Sequence, residues 1–208
     1  RQRQMCIRDR LGIDKDLDDA EIATLIAKWY KLLHHRGYEY IEENSCVPLY
    51  DENDLLTFEN IEKIKLETNS SELPVWKLIE NNFDIIEKLL NKAKRTLTYN
   101  DFYYTNLIVA QNRTSAMMFD YNLLGKGYAY ADIRNVCFSL SEVAKKAFLE
   151  EYGKFDISEM IIDNVVSILT TLHFACQKTL FPSWANYALK ELHTGFIDKV
   201  NRLLYLEK

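Results

Sequence analysis

Glycine and proline are scarce in this 208-residue chain, six of one and three of the other, so the composition favours helices joined by few tight turns. A mainly α architecture is expected. Cysteine is also sparse: Cys6, Cys46, Cys137 and Cys176 lie far apart and form no C-x-x-C or Cys/His cluster, which points to isolated thiols. No signal peptide is visible, so a reducing cytoplasm is the expected compartment, and the sequons at Asn69 and Asn112 are then chance matches. Charge of one sign is missing as a stripe. The net charge is -5 with Lys and Arg scattered among acids, which excludes the electrostatic footprint that nucleic-acid binding requires. The longest apolar stretch, Ile161 to Cys176, is interrupted by Asp163, Asn164, Ser167 and His173 and is shorter than the roughly 20 residues of a membrane span, so no membrane partner is expected.

What is present is ordinary for a globular chain, 48% hydrophobic and 27% charged, and long enough to bury one good core. The first ten residues, RQRQMCIRDR, carry no period and resemble a translated sequencing-adapter scar. They are set aside as non-native, and residues 11–208 are expected to form one lobe. From Asp18, an N-cap acid, Glu21 and apolar positions at Ile22, Leu25, Ile26, Trp29, Leu32 and Leu33 predict an amphipathic helix closed by Gly37. His34 and His35 then fall in its last turn, where a capping role outweighs metal ligation because no partner has ligand spacing. Residues 38–56 read as a connector, Thr57 opens a helix to about Leu66, and Ser71 caps a long segment from Glu72 to Lys94 that Asn81-Asn82 bends or divides. Gly125 and Gly127 mark a loop with a special turn beside Asp120. Further helices are expected over Ser141–Tyr152, Ser158 to about Lys178, and Ser183–Leu204.

Between these helices the stretch from Leu97 to Asp120 reads as a polar loop, a strand Leu107-Ile108-Val109, a turn, a second strand from Ala116 to Phe119, and then Asp120. Phosphoryl transfer needs a group that takes the acceptor's proton and hard oxygen ligands that hold magnesium against the phosphates. The spacing D-x-x-x-x-N at Asp101 to Asn106 is that of a kinase catalytic loop, and Asp120 follows where a metal-binding Asp would stand. The spacing alone recurs about once in 400 positions by composition, and Asp and Asn in turns are the bland explanation. The order of events carries more: Asn directly before an Ile/Val strand, then a Met/Phe strand ending on Asp.

TLTYNDFYYTNLIV followed by AMMFDYNLLGKG resembles the core of the aminoglycoside phosphotransferase and choline kinase-like family, whose form is an H-x-D loop, an Asn before a strand and an Ile-Asp or Phe-Asp strand end. Tyr128 to Ile133 is similar to the family's small-Tyr-Asp-Leu segment, and WYKLLHHRG to its helix ending in Leu-His. The resemblance implies a mainly α chain with a small β-hairpin, the C-terminal lobe of a protein-kinase-like fold. It implies Asp101 as catalytic base, Asn106 and Asp120 as ligands of magnesium and hence of ATP, and Asp132 and Tyr99 as support for the loop. Tyr99 departs from the family's His. Before Asp18 there is no G-x-G-x-x-G loop, V-A-I-K-like strand or nucleotide-lobe sheet, so the N-terminal lobe is expected to be missing and the chain inactive alone. The implied function is ATP- and magnesium-dependent phosphorylation of a small-molecule hydroxyl, the acceptor being aminoglycoside- or choline-like and cationic. Glu150, Glu151, Asp156, Glu159 and Asp163 are available to meet it, or to serve as solvated faces and caps. The alternative is a pseudokinase or binding module of the same fold.

Overall fold

The structure, a computed structural model, describes residues 9–44 and 46–207. The chain forms two compact units, one drawn from the chain up to Tyr50 together with Arg95–Phe155, the other from Asp51–Lys94 together with Asp156 onward.

The first unit is organised on helix α1, Ala20–Glu43. Its N-cap is Asp19, whose carboxylate accepts from the amides of Glu21 (2.9 Å) and Ile22 (3.2 Å). The buried face is Ile22, Ala23, Ile26, Ala27, Tyr30, His34 and Gly37, whereas Leu32, expected on that face, is 60% exposed. Gly37 does not close the helix. A Cβ there would lie 2.3 Å from Thr96 Oγ1 and 2.5 Å from Leu97 N, so Gly37 is the gap through which strand β3, Thr96–Thr98, approaches α1. The helix continues through residues expected to belong to a connector. Helix α6, Glu142–Tyr152, capped by the Ser141 hydroxyl, packs on α1 and contributes Ala144 and Phe148 to the same core.

Two small sheets complete this unit. One is antiparallel in the order β1 (Asp9–Leu11), β4 (Leu107–Ala110), β5 (Ala116–Met118), with Asp9 opposite Ala110 and Leu107 opposite Met118. The expected hairpin is β4–β5, and its alternation sends Leu107, Val109 and Met118 into the core. Asp9 and Arg10, from the decapeptide read as a scar, lie in β1, and the Arg10 guanidinium meets both carboxylate oxygens of Asp16 at 2.6 Å; the first eight residues lie outside the described ones. The second sheet runs β2 (Tyr50–Asp51), β6 (Gly125–Gly127), β3. Here the expected glycine turn is a strand instead. Gly125 and Gly127 pair antiparallel with Thr98 and Thr96, and a Cβ on Gly125 would meet Tyr50 O at 2.5 Å, so close approach is what selects glycine. Helix α5, Ala129–Ser139, follows at once.

The second unit holds α2 (Phe58–Glu67), α3 (Pro74–Asn81), α4 (Phe83–Lys92), α7 (Ile157–Ala175), α8 (Asn186–Thr194) and α9 (Phe196–Leu204). The expected 72–94 helix is two helices divided at Asn82, and Leu73 rather than Ser71 precedes the first turn, where Pro74 sits because its missing N–H would be unpaired anyway. The expected 183–204 helix is likewise divided, at Gly195. By length and composition α7 would suffice to cross a bilayer, which the interrupted sequence did not suggest. It packs against α2, α8 and α9 and buries Glu159 and Asp163 along with Val165, Val166 and Leu172, as the core helix of this unit does. Among the described residues Cys137 and Cys176 are free thiols, and burial pushes Cys137 up to about 11; Cys6 lies outside them.

Candidate active site

The loop from Tyr99 to Asn106 leaves β3 and enters β4, and its direction is set from below by Asp132. That side chain is 1% exposed, in the first turn of α5. Its Oδ2 accepts the Tyr99 amide at 2.7 Å and its Oδ1 the Asn100 amide at 2.9 Å, so one carboxylate holds two successive peptides at the head of the loop. A third donor reaches it: His34 Nε2 lies 3.1 Å from Oδ2, while His34 Nδ1 lies 2.8 Å from Tyr152 Oη. A carboxylate only accepts, so Nε2 carries the proton. His34 is therefore neither an exposed helix cap nor a metal ligand; it links α1 and α6 to the loop through Asp132. A readable signal existed, because His34 continues the stripe Ile22, Ile26, Tyr30 at a spacing of four.

Asp101 and Asn106 face one another across the loop. The Asn106 amide donates to Asp101 Oδ2 at 2.9 Å and to the Asp101 carbonyl at 3.1 Å, two acceptors that place Nδ2 on that side and leave Oδ1 on the other. Asp101 is half-buried, and Phe102 behind it is buried in the core. The Asn106 carbonyl in turn accepts the Phe119 amide at 2.9 Å, which fixes the end of β5 beside the loop. Asp120 then takes φ 63°, a left-handed conformation that Asp tolerates, and its carboxylate is exposed.

Tyr99 joins the two halves. Its ring is fully buried against Trp29 and Tyr121, its backbone is held by Asp132, and its hydroxyl donates to the Phe119 carbonyl, one residue before Asp120. Burial pushes its phenol pKa up, and the charges of Asp101 and Asp120 add to that, so both carboxylates lie within electrostatic reach of one hydroxyl. The structure thus brings Asp101, Asn106, Asp120, Tyr99 and Asp132 together in the first unit. Asn100, between Tyr99 and Asp101, was not singled out in the sequence although it has φ 63°.

The acids considered for a cationic acceptor have local roles of their own. Glu150 pairs at 3.8 Å with Lys146 on α6, Asp156 caps α7 through the Ser158 amide, and Glu159 and Asp163 are buried along α7. Among the described residues no three His, Cys, Asp or Glu side chains converge as a metal cage. The hard oxygen donors of this site are the Asn106 side-chain oxygen and the exposed Asp120 carboxylate. Oxygen donors of this kind are those that magnesium takes, beside waters and phosphate oxygens.

No family model and no curated protein matches the chain. Among solved structures it is similar to LicA in complex with AMP, with a TM-score of 0.51 and 12% identity over 93% of this chain and 67% of that one. It is also similar to the ethanolamine kinase of Plasmodium vivax, with a TM-score of 0.47 and 15% identity over 97% of this chain and 63% of that one. The chain spans about two thirds of the length of these proteins. At such identity the likeness to LicA is one of fold alone.

Proposed function

We propose that this chain is the catalytic lobe of an ATP- and magnesium-dependent phosphotransferase acting on the hydroxyl of a small, cationic acceptor. The observation that carries the reading is the 2.9 Å hydrogen bond from the Asn106 amide to Asp101, in a loop whose neighbouring strand, Ala116–Met118, ends two residues before Asp120. Asp101 accepts the proton of the acceptor hydroxyl as that oxygen attacks the terminal phosphorus of the nucleotide; the new P–O bond forms, the bond to the diphosphate breaks, and the diphosphate leaves. Asn106 holds the Asp101 carboxylate in place with Nδ2 and offers Oδ1 to magnesium, together with Asp120. Magnesium, when bound, neutralises charge on the phosphates. The AMP in LicA supports a nucleotide as donor. Because the chain spans about two thirds of LicA, the activity is proposed for the protein that also carries a nucleotide-binding lobe.

The test is ATP-dependent phosphate transfer to a panel of amino alcohols and aminoglycosides, measured with the chain supplied with a nucleotide-binding lobe, beside Asp101→Ala. Loss of about 10²–10⁴ in kcat in the variant is expected for a missing proton acceptor. Equal rates in both would remove Asp101 as the base. One feature favours a second reading, a pseudokinase: Tyr99 occupies the place of the family's loop His. Nucleotide binding without transfer to any acceptor would select it.

A further inference from the structure

We infer that Asn100 is a positioning residue of this site, one that sets Asp101 and Asp120 relative to each other; the inference rests on the reading of those residues given above. Asn100 acts on both sides of the site at once. Its φ of 63° turns the chain sharply after the buried Tyr99, so that Asp101 emerges half-buried above the core. Its backbone N–H is taken by Asp132, which holds that turn. Its side-chain amide then leaves the loop altogether. Nδ2 donates to Thr98 Oγ1 at 3.0 Å and to the Leu123 carbonyl, three residues beyond Asp120, also at 3.0 Å. A carbonyl oxygen can only accept, so the amide orientation follows from the partner. Gly125 makes room for this reach, since a Cβ there would stand 3.1 Å from Asn100 Nδ2.

Asp120 therefore lies between two tethers. Upstream, Phe119 is fastened to Asn106 and Tyr99. Downstream, Leu123 is fastened to Asn100. The residues between are exposed, and their local ties are the Leu124 amide to the Tyr121 carbonyl at 3.1 Å and the Tyr121 hydroxyl to the Met118 carbonyl at 2.8 Å. Both of those stay within the segment from Met118 to Leu124, whereas Asn100 joins that segment to the catalytic loop. Asn suits the task because it accepts a left-handed backbone and also donates from its side chain, two properties that Gly and Ala cannot combine.

The test separates backbone from tether by comparing N100G, which keeps the turn, with N100A, which keeps neither. N100G is expected to fold with a melting temperature close to wild type, yet to exchange the amides of residues 120–124 several-fold faster and to bind Mn2+, used as the probe, about tenfold more weakly. N100A is expected to lose thermal stability as well, because a Cβ without a polar tip is strained at positive φ. A purely structural role predicts that glycine rescues everything, and unchanged exchange at 120–124 in N100G would overturn the positioning role. Wild-type chain that shows no Mn2+ binding removable by Asp120→Asn would instead sink the magnesium reading, and the exchange measurement still decides Asn100 by itself.

Discussion

Tyr30 shows how a single buried group can be read for its cost. Its ring packs on Trp29, Tyr99, Phe102 and Phe148, and its hydroxyl is buried with no hydrogen-bond partner among the described residues. Burial, then the charge of Asp132, pushes its pKa well up, so the phenol stays protonated. An unpaired buried hydroxyl costs about 1–3 kcal/mol, and its removal leaves the ring packing intact. Tyr30→Phe should thus leave stability unchanged or raise it by about 1 kcal/mol in urea unfolding; a clear loss would reveal a partner for the hydroxyl. Asp132 is the opposite case. Three donors converge on it, and Asp132→Asn would turn a donor toward at least one of them, so a loss of about 3 kcal/mol is expected by the same measurement. Neither result was legible in the sequence. Asp132 was legible by resemblance alone, and its partner His34 stands 98 residues away.

At the scale of elements, capping and periodicity carried most of the reading. Thr57 accepts from the Asn60 amide at the start of α2, Ser141 and Asp156 cap α6 and α7, and the β4–β5 hairpin falls where alternating Leu, Val and Met require it. These signals lie within a few residues of the element they specify. Gly37 and Gly125 were misread for the complementary reason: each is glycine because another segment passes within van der Waals contact, and no local pattern encodes that segment. Gly37→Ala tests the point with a reversal of sign. In an exposed helix interior the change stabilises by about 1 kcal/mol. Here the methyl would collide with Thr96 and Leu97, and a loss of about 1–3 kcal/mol, read as a fall in melting temperature, is expected.

At the scale of the whole molecule, the two units answer acid through different groups. His173, on α7 of the second unit, is buried, with Nε2 2.7 Å from Gln177 Nε2 and Nδ1 without a partner among the described residues. Burial, and then Lys63, lowers its pKa below the ordinary 6.5. The unfolded chain then takes up the proton first as pH falls, so stability present above about 6.5 is lost progressively below it, until the folded-state pKa is passed. In the first unit Asp16 and Asp19 are shifted down, against the cost of burial, by hydrogen bonds from Arg10 and Arg113 respectively. Their contribution is present above about 3.8 and lost only as pH falls below that value. Protection of the α7 amides, corrected for their intrinsic exchange rates, should fall as pH drops below about 6.5, and His173→Phe should flatten that slope; an unchanged slope in the variant would remove His173 as its source.

The sequence by itself determined where α2 and α6 start, which strands form the hairpin, and that Asp101, Asn106 and Asp120 follow one another around it. All of these are written in spacings of a few residues, the range over which caps, turns and side-chain periods act. Only the tertiary structure decided that Asp132 and His34 hold the loop, that Tyr99 ties it to Phe119, that Asn100 reaches Leu123, and that two glycines mark crossings instead of ends. Each of those depends on segments 20 to 98 residues apart meeting inside one core, and the partner is chosen by burial and hydrogen-bond satisfaction after the chain has folded, not by neighbours along it.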